Sequence, residues 1–334
     1  MTFTYVARRW IFVALWVALS FAPIATEAWG QAAWRPVKPV EIVVPTAAGG
    51  ENDRVARLMQ KILQDKKLVP TPILVVNKEG GNQILAVVRV IQNAPDPHSL
   101  LYATSTVFTN QINGLTQYSY HDLTPISLLM IDGTALTVSA DSPIKTMRDL
   151  INRLKADPKS LSFSTVARGG INHLALSQVM RSSGIDPKKL KIVIFKTNAD
   201  SITGVMGGHV NVMLSSVSAA FDRVVAGNMR MLAIVAPQRL TGALAGVPTM
   251  AELGIKAAGV DNWRCVFGPK GMTPAQAAFW ENAMAAVNGA EEWKKDIDSR
   301  SQTQVFLRGK ELTSYLDKAY GSTKAAMADL GIAK

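Results

Sequence analysis

Short apolar runs alternate with amphipathic segments through the first third of the chain. Val40 to Val44 is apolar at four of its positions, stops at Pro45 and predicts a buried strand. The loop Thr46-Ala47-Ala48-Gly49-Gly50 follows. From Asp53 the apolar residues Val55, Leu58, Met59, Ile62 and Leu63 fall at helical spacing, which predicts an amphipathic helix. Ile73 to Val76 predicts the next strand, Gln83 to Gln92 a helix, and Leu100 to Ala103 a third strand. Strand alternating with helix argues for a parallel sheet with helices on its faces.

The pattern restarts after about residue 130. Strands are expected at Leu136 to Ser139, Leu161 to Ser164, Lys191 to Phe195, Val210 to Leu214 and Met231 to Val235. Helices are expected at Met147 to Lys155, Asn172 to Arg181 and Ile202 to Met206. Trp263 to Phe267 is another apolar strand, with Cys265 in the core. The tail from Pro274 to Leu330 reads as mostly helical, with Pro274 near a helix start. Two domains of ordinary size fit the 334 residues.

One feature recurs. Gly49-Gly50-Glu51-Asn52 follows the first strand and opens a helix, and Gly169-Gly170-Ile171-Asn172 does the same 120 positions later. Glycine lets a ligand approach the backbone closely. Asn is a favourable N-cap, and the free N–H groups of a helix start favour an anion. Two such loops, one in each half, describe a two-jawed clamp for an acid. Gly-Gly also makes plain tight turns, as Gly80-Gly81 and Gly207-Gly208 illustrate.

At the amino end, Arg8-Arg9 precede an apolar stretch from Trp10 to Phe21, and a looser segment follows, ending at Gly30-Gln31-Ala32 with small residues at the two positions a signal peptidase reads. This reads as a secretory signal peptide over residues 1–32, cleaved near Ala32, with Ala28 as the alternative site. The stretch is shorter than the roughly 20 residues of a spanning helix, which weighs against a membrane anchor. Loss of Arg8, Arg9 and Glu27 with that segment lowers the net charge from +11 to +10. A basic chain favours anionic partners. Export points to the periplasm and argues against nucleic acid. With Cys265 alone, neither an intrachain disulfide nor a thiolate metal cluster can form.

Catalytic signatures are missing. No Gly-x-Gly, Walker loop or Gly-x-Ser-x-Gly occurs, and His98, His121, His173 and His209 lack metal-site spacing. No cofactor or metal is expected. His173 could bind an acid, although a backbone-satisfied structural role is the plainer reading. Asp53 and Asp200 sit at helix starts, where a carboxylate offsets the helix dipole. Among the basic residues, Lys196 and Arg264 border strands in loop-rich regions and are the candidates for direct contact with an anion.

Taken in order, the motifs resemble the receptors of tripartite tricarboxylate transporters, also called the Bug family. Thr46-Ala47-Ala48-Gly49-Gly50-Glu51-Asn52-Asp53 is similar to the first ligand loop, and Gly169-Gly170-Ile171-Asn172-His173-Leu174 to the second. Asn77-Lys78-Glu79-Gly80-Gly81, Phe195-Lys196-Thr197-Asn198-Ala199, Met206 to Val210, Val247-Pro248-Thr249 and Gly268 to Pro274 continue the series. The resemblance runs from about residue 36 to the end.

The resemblance implies an α/β, two-domain periplasmic binding protein of the Venus-flytrap kind, each domain a mostly parallel sheet flanked by helices. Domain 1 would comprise 33–132 and 259–334, and domain 2 residues 133–258. A small carboxylate would bind in the interdomain cleft and pass to a two-subunit membrane permease. The protein would be monomeric, with no catalysis. The implied ligand-binding set is Thr46, Ala48, Gly49, Gly50, Asn52, Asp53, Thr104 and Ser105 in domain 1, joined by Arg264. Domain 2 would supply Arg168, Gly169, Gly170, Asn172, His173, Lys196, Asn198, Ser215 and Ser216.

The family's Pro-Gly-Gly is Ala48-Gly49-Gly50 here, its Gly-x-Gly-Ser is Ala167-Arg168-Gly169-Gly170, and its Asp-Asn is Ser215-Ser216. Ser-Ser with Asn262-Trp263-Arg264 resembles the tricarboxylate-binding subgroup. Loss of an acid and gain of an arginine suit a ligand with several carboxylates and no amine, citrate-like before amino-acid-like. Two other classes share the fold: a ligand-binding partner of a sensor kinase, and an α/β enzyme acting on carboxylic acids.

Overall fold

The computed structural model describes residues 34–236, 238–257 and 261–333. The leader read at 1–32 lies outside these residues, as does the domain boundary read between 258 and 259. Residues 35–334 cluster as one compact unit, built on two sheets.

The first sheet grows from the alternation read in the sequence. Strand β1 (Val40–Val44) pairs in parallel with β2 (Ile73–Asn77) on one side and β3 (Ser99–Thr104) on the other. Helix α1 (Glu51–Asp65) follows β1 and buries Val55, Ala56, Met59, Ile62 and Leu63. Glu51 and Asp53 lie in its first turn, where they complement the helix dipole. Helix α2 (Ile84–Gln92) follows β2, and α3 (Thr106–Ile112) follows β3. Strand β4 (Leu123–Ile131) completes the outward path.

The chain then crosses to the second sheet through Asp132-Gly133. There β5 (Thr134–Ser139), α4 (Met147–Ala156), β6 (Ser162–Thr165), α5 (Ile171–Ser182) and β7 (Lys191–Ile194) follow in order. Next come α6 (Asn198–Met206), β8 (Val212–Ser216), α7 (Val217–Val225) and β9 (Met229–Val235). It returns through β10 (Trp263–Pro269), α8 (Pro274–Gly289), α9 (Glu291–Ser299), β11 (Thr303–Leu307) and α10 (Gly309–Asp329).

Strand order is β11-β4-β10-β3-β1-β2 in the first sheet and β7-β6-β8-β5-β9 in the second. Both sheets are mixed, which corrects the expectation of mostly parallel ones. β1, β2 and β3 are mutually parallel, as are β6, β7 and β8. β4, β5 and β10, which join the sheets, and β9 and β11 pair antiparallel. A strand that enters from the other sheet is not delivered by a βαβ crossover, so parallel entry is not imposed.

Apolar clusters cover both faces of the second sheet, one around Phe163, Leu136 and Val179, the other around Met213, Phe221 and Ile234. In the first lobe Trp263, Phe108 and Tyr120 pack with Leu312 and Leu316 of α10. Phe108 meets Trp263 edge-on at 5.0 Å. Ile171 and Leu174 of α5 join this same cluster, so the start of the second-lobe helix seats against the first lobe.

The tail read as helical contains a strand, β11, at the edge of the first sheet beside β4. Among the described residues no helix is long and apolar enough to cross a membrane.

Candidate ligand-binding site

In each sheet the parallel strands end beside helix starts. β1, β2 and β3 lead towards α1, α2 and α3, and β6, β7 and β8 towards α5, α6 and α7. Ligands of open α/β sheets bind outside such carboxyl ends, where backbone N–H groups face outward.

The two Gly-Gly loops share one construction. Gly49 has φ +79° and Gly169 φ +72°, the left-handed region that favours glycine. Each donates its N–H to the side chain four residues on. Gly49 N–H meets Asp53 Oδ2 at 2.9 Å, and Gly169 N–H meets His173 Nδ1 at 2.9 Å. Gly50 and Gly170, both extended, are the N-caps of α1 and α5. Asn52 and Asn172 therefore do not cap, contrary to expectation. An extended glycine already occupies that position, and the Asn side chains reach outward instead. Asn52 Oδ1 accepts from Arg264 Nε at 3.1 Å, and Asn172 Oδ1 from Thr134 Oγ at 2.9 Å.

Charge in the loops follows from these contacts. Burial raises the Asp53 carboxyl, but hydrogen bonds from Arg57 and Gly49 outweigh it and hold it below its ordinary value. Burial, with the positive charge of Arg168, lowers His173 to about 4. Its imidazole is neutral near pH 7 and accepts at Nδ1, so the proton is on Nε2.

Arg264 lies inside β10, next to its start, and is buried. Its Nη1 donates to Asn262 Oδ1 at 2.7 Å and its Nη2 to Asp132 Oδ2 at 3.4 Å. Asp132 in turn accepts from Ser218 N–H and Ser218 Oγ–H at the start of α7. Burial pushes the Asp132 carboxyl up, against the pull of Arg264 and Ser218. Ser216 Oγ lies 3.3 Å from Ser218 Oγ, and Ser105 Oγ donates to Asn262 Oδ1 at 3.5 Å. One polar network thus joins Asn52, Ser105, Arg264 and Ser216. Ser215 is buried beside it, its hydroxyl turned to the carbonyl of Ser216.

The remaining candidates are dispersed. Thr104 is held by Gln83 at 2.8 Å. Ala48, Gly49, Gly50, Arg168 and Lys196 are exposed. Neither Arg168 nor Lys196 makes an ion pair among the described residues. Thr46 Oγ and Asn198 Oδ1 are buried, and neither has a hydrogen-bond partner among the described residues. The lobes also meet where Asn113, capping the end of α3, donates to Gly169 O at 3.5 Å.

Sequence reasoning missed Asp132, Ser218, Asn113 and Thr134. Asp132 carried a signal: a carboxylate directly after the apolar run Leu128 to Ile131 must be paired if it is buried. Asn113 is an ordinary polar residue whose partner Gly169 lies in the other lobe, Thr134 meets Asn172 38 positions away in its own lobe, and nothing local marks either. Among the described residues no group of three or more His, Cys, Asp and Glu side chains is arranged to hold a metal ion.

Fold and loops together define a solute-binding receptor of the periplasmic-binding-protein class. Residues 55–303 match the tripartite tricarboxylate transporter family receptor, and the chain belongs to that family. It is 26% identical to the protein BugT of Bordetella pertussis over 257 residues, which are 76% of this chain and 75% of BugT. Among the solved structures that share the fold are two holding small acids. Rpa4515 of R. palustris, with adipate, has a TM-score of 0.80 and 22% identity, over 89% of this chain and 99% of that one. MatC from Rhodopseudomonas palustris, with bound malate, has a TM-score of 0.71 and 21% identity, over 88% and 98%.

Proposed function

We propose that this chain captures a small di- or tricarboxylate between its two Gly-Gly loops, in the periplasm, and delivers it as a monomer to the two-subunit permease of a tripartite transporter. The observation that carries the reading is the matched construction of the loops: left-handed glycine, extended glycine cap, helix, and an acceptor four residues on that satisfies the first N–H. That acceptor steadies each loop and leaves the N–H groups of the following turn for an anion.

The two sheets support a division into domain 1 (33–132 and 259–334) and domain 2 (133–258). The unpartnered Thr46 Oγ and Asn198 Oδ1, one in each lobe, are suited to donate to and accept from a ligand or its waters. Further charge on a citrate-like ligand would meet Arg168 and Lys196, which are exposed and make no ion pair among the described residues. Arg264, engaged by Asp132, Asn262 and Asn52, would act through Asn52 instead.

Adipate and malate in the two related structures place the ligand class among dicarboxylates for those proteins. Isothermal titration of the chain with citrate, malate, adipate, succinate, glutamate and acetate tests the reading. Binding of at least one di- or tricarboxylate, tighter than acetate, is expected. No heat from any of them, or turnover of one, would overturn it.

A further inference from the structure

We propose that Asp132 and Arg264 form a positioning pair that sets how the two lobes meet, coupling the first Gly-Gly loop to the start of α7. The proposal deepens the receptor reading above and rests on it.

Both residues belong to the segments that join the sheets. Asp132 follows β4 on the outward crossing, and Arg264 opens the return on β10. The two crossings are tied together, since Asp132 N–H donates to Asn262 O at 2.9 Å. Side-chain exposure is 7% for Arg264 and 0% for Asp132.

From this point the contacts run in both directions. Towards the first lobe, Arg264 Nε holds Asn52 Oδ1 at 3.1 Å, on the second residue of α1 and two positions beyond Gly50. Towards the second lobe, Asp132 Oδ1 accepts Ser218 N–H at 3.3 Å, and Gly133 O accepts Val217 N–H at 2.8 Å. Ser216, the N-cap of α7, makes no capping hydrogen bond with its own side chain. A residue of the crossing supplies the missing acceptor, so the helix start in one lobe is held from the segment that leads out of the other.

The chemistry makes the link directional. A guanidinium has five donors in a planar fork, and here they are directed at Asn52, Asn262, the Trp263 carbonyl and Asp132. A buried charge pair is costly to break one-sidedly, because the partner left behind has neither water nor counter-charge. Arg264 and Asn52 both belong to the first lobe, so rotation of one lobe on the other must shear the contact from Asp132 to Ser218. The pair therefore favours discrete arrangements over a continuum, which is the kind of element that carries coupling between sites.

The experiment places spin labels at Lys61→Cys on α1 and Lys155→Cys on α4, both exposed. Cys265, fully buried, stays unlabelled. Pulsed electron paramagnetic resonance then gives the interlobe distance distribution of the ligand-free protein and with citrate, malate or adipate added. Asp132→Asn keeps an acceptor for Ser218 and removes the charge. Ser218→Ala removes one hydroxyl and decides the matter if Asp132→Asn does not fold.

Each folded variant is expected to broaden and shift the ligand-free distribution and to weaken acid binding about tenfold, within the usual range of coupling between sites. An unchanged ligand-free distribution in the folded variants overturns the positioning role even where acid binding by the parent protein stands. Absence of binding by the parent overturns the receptor reading, while the ligand-free distances still judge the pair.

Discussion

Asp53 and His173 occupy the same place in two different lobes: each accepts, at 2.9 Å, the N–H of a left-handed glycine four residues earlier. One is a carboxylate and the other an imidazole, so the geometry is shared and the chemistry is not. Asp53 is braced by Arg57 at 3.0 Å and remains charged. His173 performs the same task only while neutral, because a protonated imidazole has no acceptor to offer Gly169.

A pH dependence follows from this. The folded imidazole sits at about 4, below its ordinary value of 6.5. Between these limits the unfolded chain takes up a proton that the folded site refuses. The contribution to stability is whole above about pH 6.5, falls as the pH drops towards 4, and is level below that. His173→Asn keeps an acceptor for the Gly169 N–H and cannot be protonated. Melting curves from pH 7.5 to 3.5 should show wild type losing ground to this variant between pH 6.5 and 4. A constant difference across the range would show that His173 is not a buried neutral base.

Arg264→Ala is expected to be a stability mutation before it is a binding mutation. It strands the fully buried Asp132 carboxylate and releases Asn52 and Asn262. Breaking a buried pair from one side costs about 3–5 kcal/mol. Lys196→Ala, at an exposed residue with no ion pair among the described residues, should stay within about 0.5 kcal/mol of wild type. Urea denaturation of the two variants checks the contrast. Equal stabilities would mean that the buried pair contributes nothing to the fold.

Lys196 and Arg168 should instead show themselves in ligand charge and salt dependence. Both are exposed, and a field from exposed cations is screened within about 30 Å at 0.01 M salt but within about 3 Å at 1 M. Lys196→Ala should weaken a tricarboxylate more than a monocarboxylate, and the loss should shrink as salt rises. Titrations of citrate and acetate at the two salt concentrations decide this. Equal, salt-independent losses would move Lys196 out of the site.

Much of this molecule is legible locally, and its gaps have physical causes. Val40–Val44, α1 and the Gly-Gly loops were readable because run length, helical spacing and left-handed glycine are properties of neighbours in sequence. β4 was not, because Pro125 interrupts its apolar run. The structure tolerates this proline opposite Phe267, where the ladder with β10 shifts register. β11 was hidden between two helices and exists through its edge pairing with β4. The first lobe's link to α7 was illegible for a deeper reason. Asp132 acquires its role from Arg264 and Ser218, which are 132 and 86 positions away. Asn52 and Asn172 were read as helix caps from local preference, and contacts from Arg264 and Thr134 gave them other work.

Substitution of three loop glycines, with Gly81 as the control, separates clamp from scaffold, because their surroundings differ. Gly50 has φ −79° and ψ 173°, open to any residue, and an added Cβ would meet only Ala47 O at 3.5 Å, an ordinary contact. Gly50→Val should therefore fold with nearly wild-type stability and still lose ligand, since its side chain would project from the exposed loop where an anion must approach. Gly170 is less forgiving: a Cβ there would stand 2.9 Å from Ala167 Cβ. Gly170→Val should lose affinity and some stability together. Gly169→Ala carries a double burden, a left-handed φ and Asn113 Nδ2 2.9 Å from the new Cβ, so it tests the contact between lobes more than the ligand. Gly81→Val is the control. Its φ of +54° makes any side chain cost about 1–2 kcal/mol, and affinity should persist once the protein is folded. If one ligand bridges both loops, the Gly50→Val/Gly170→Val double variant should bind no worse than either single one, because a single obstruction already prevents closure. Titration calorimetry and a melting curve for each variant supply the test. Wild-type affinity in a folded Gly50→Val protein would take the first loop out of the site and end the clamp reading.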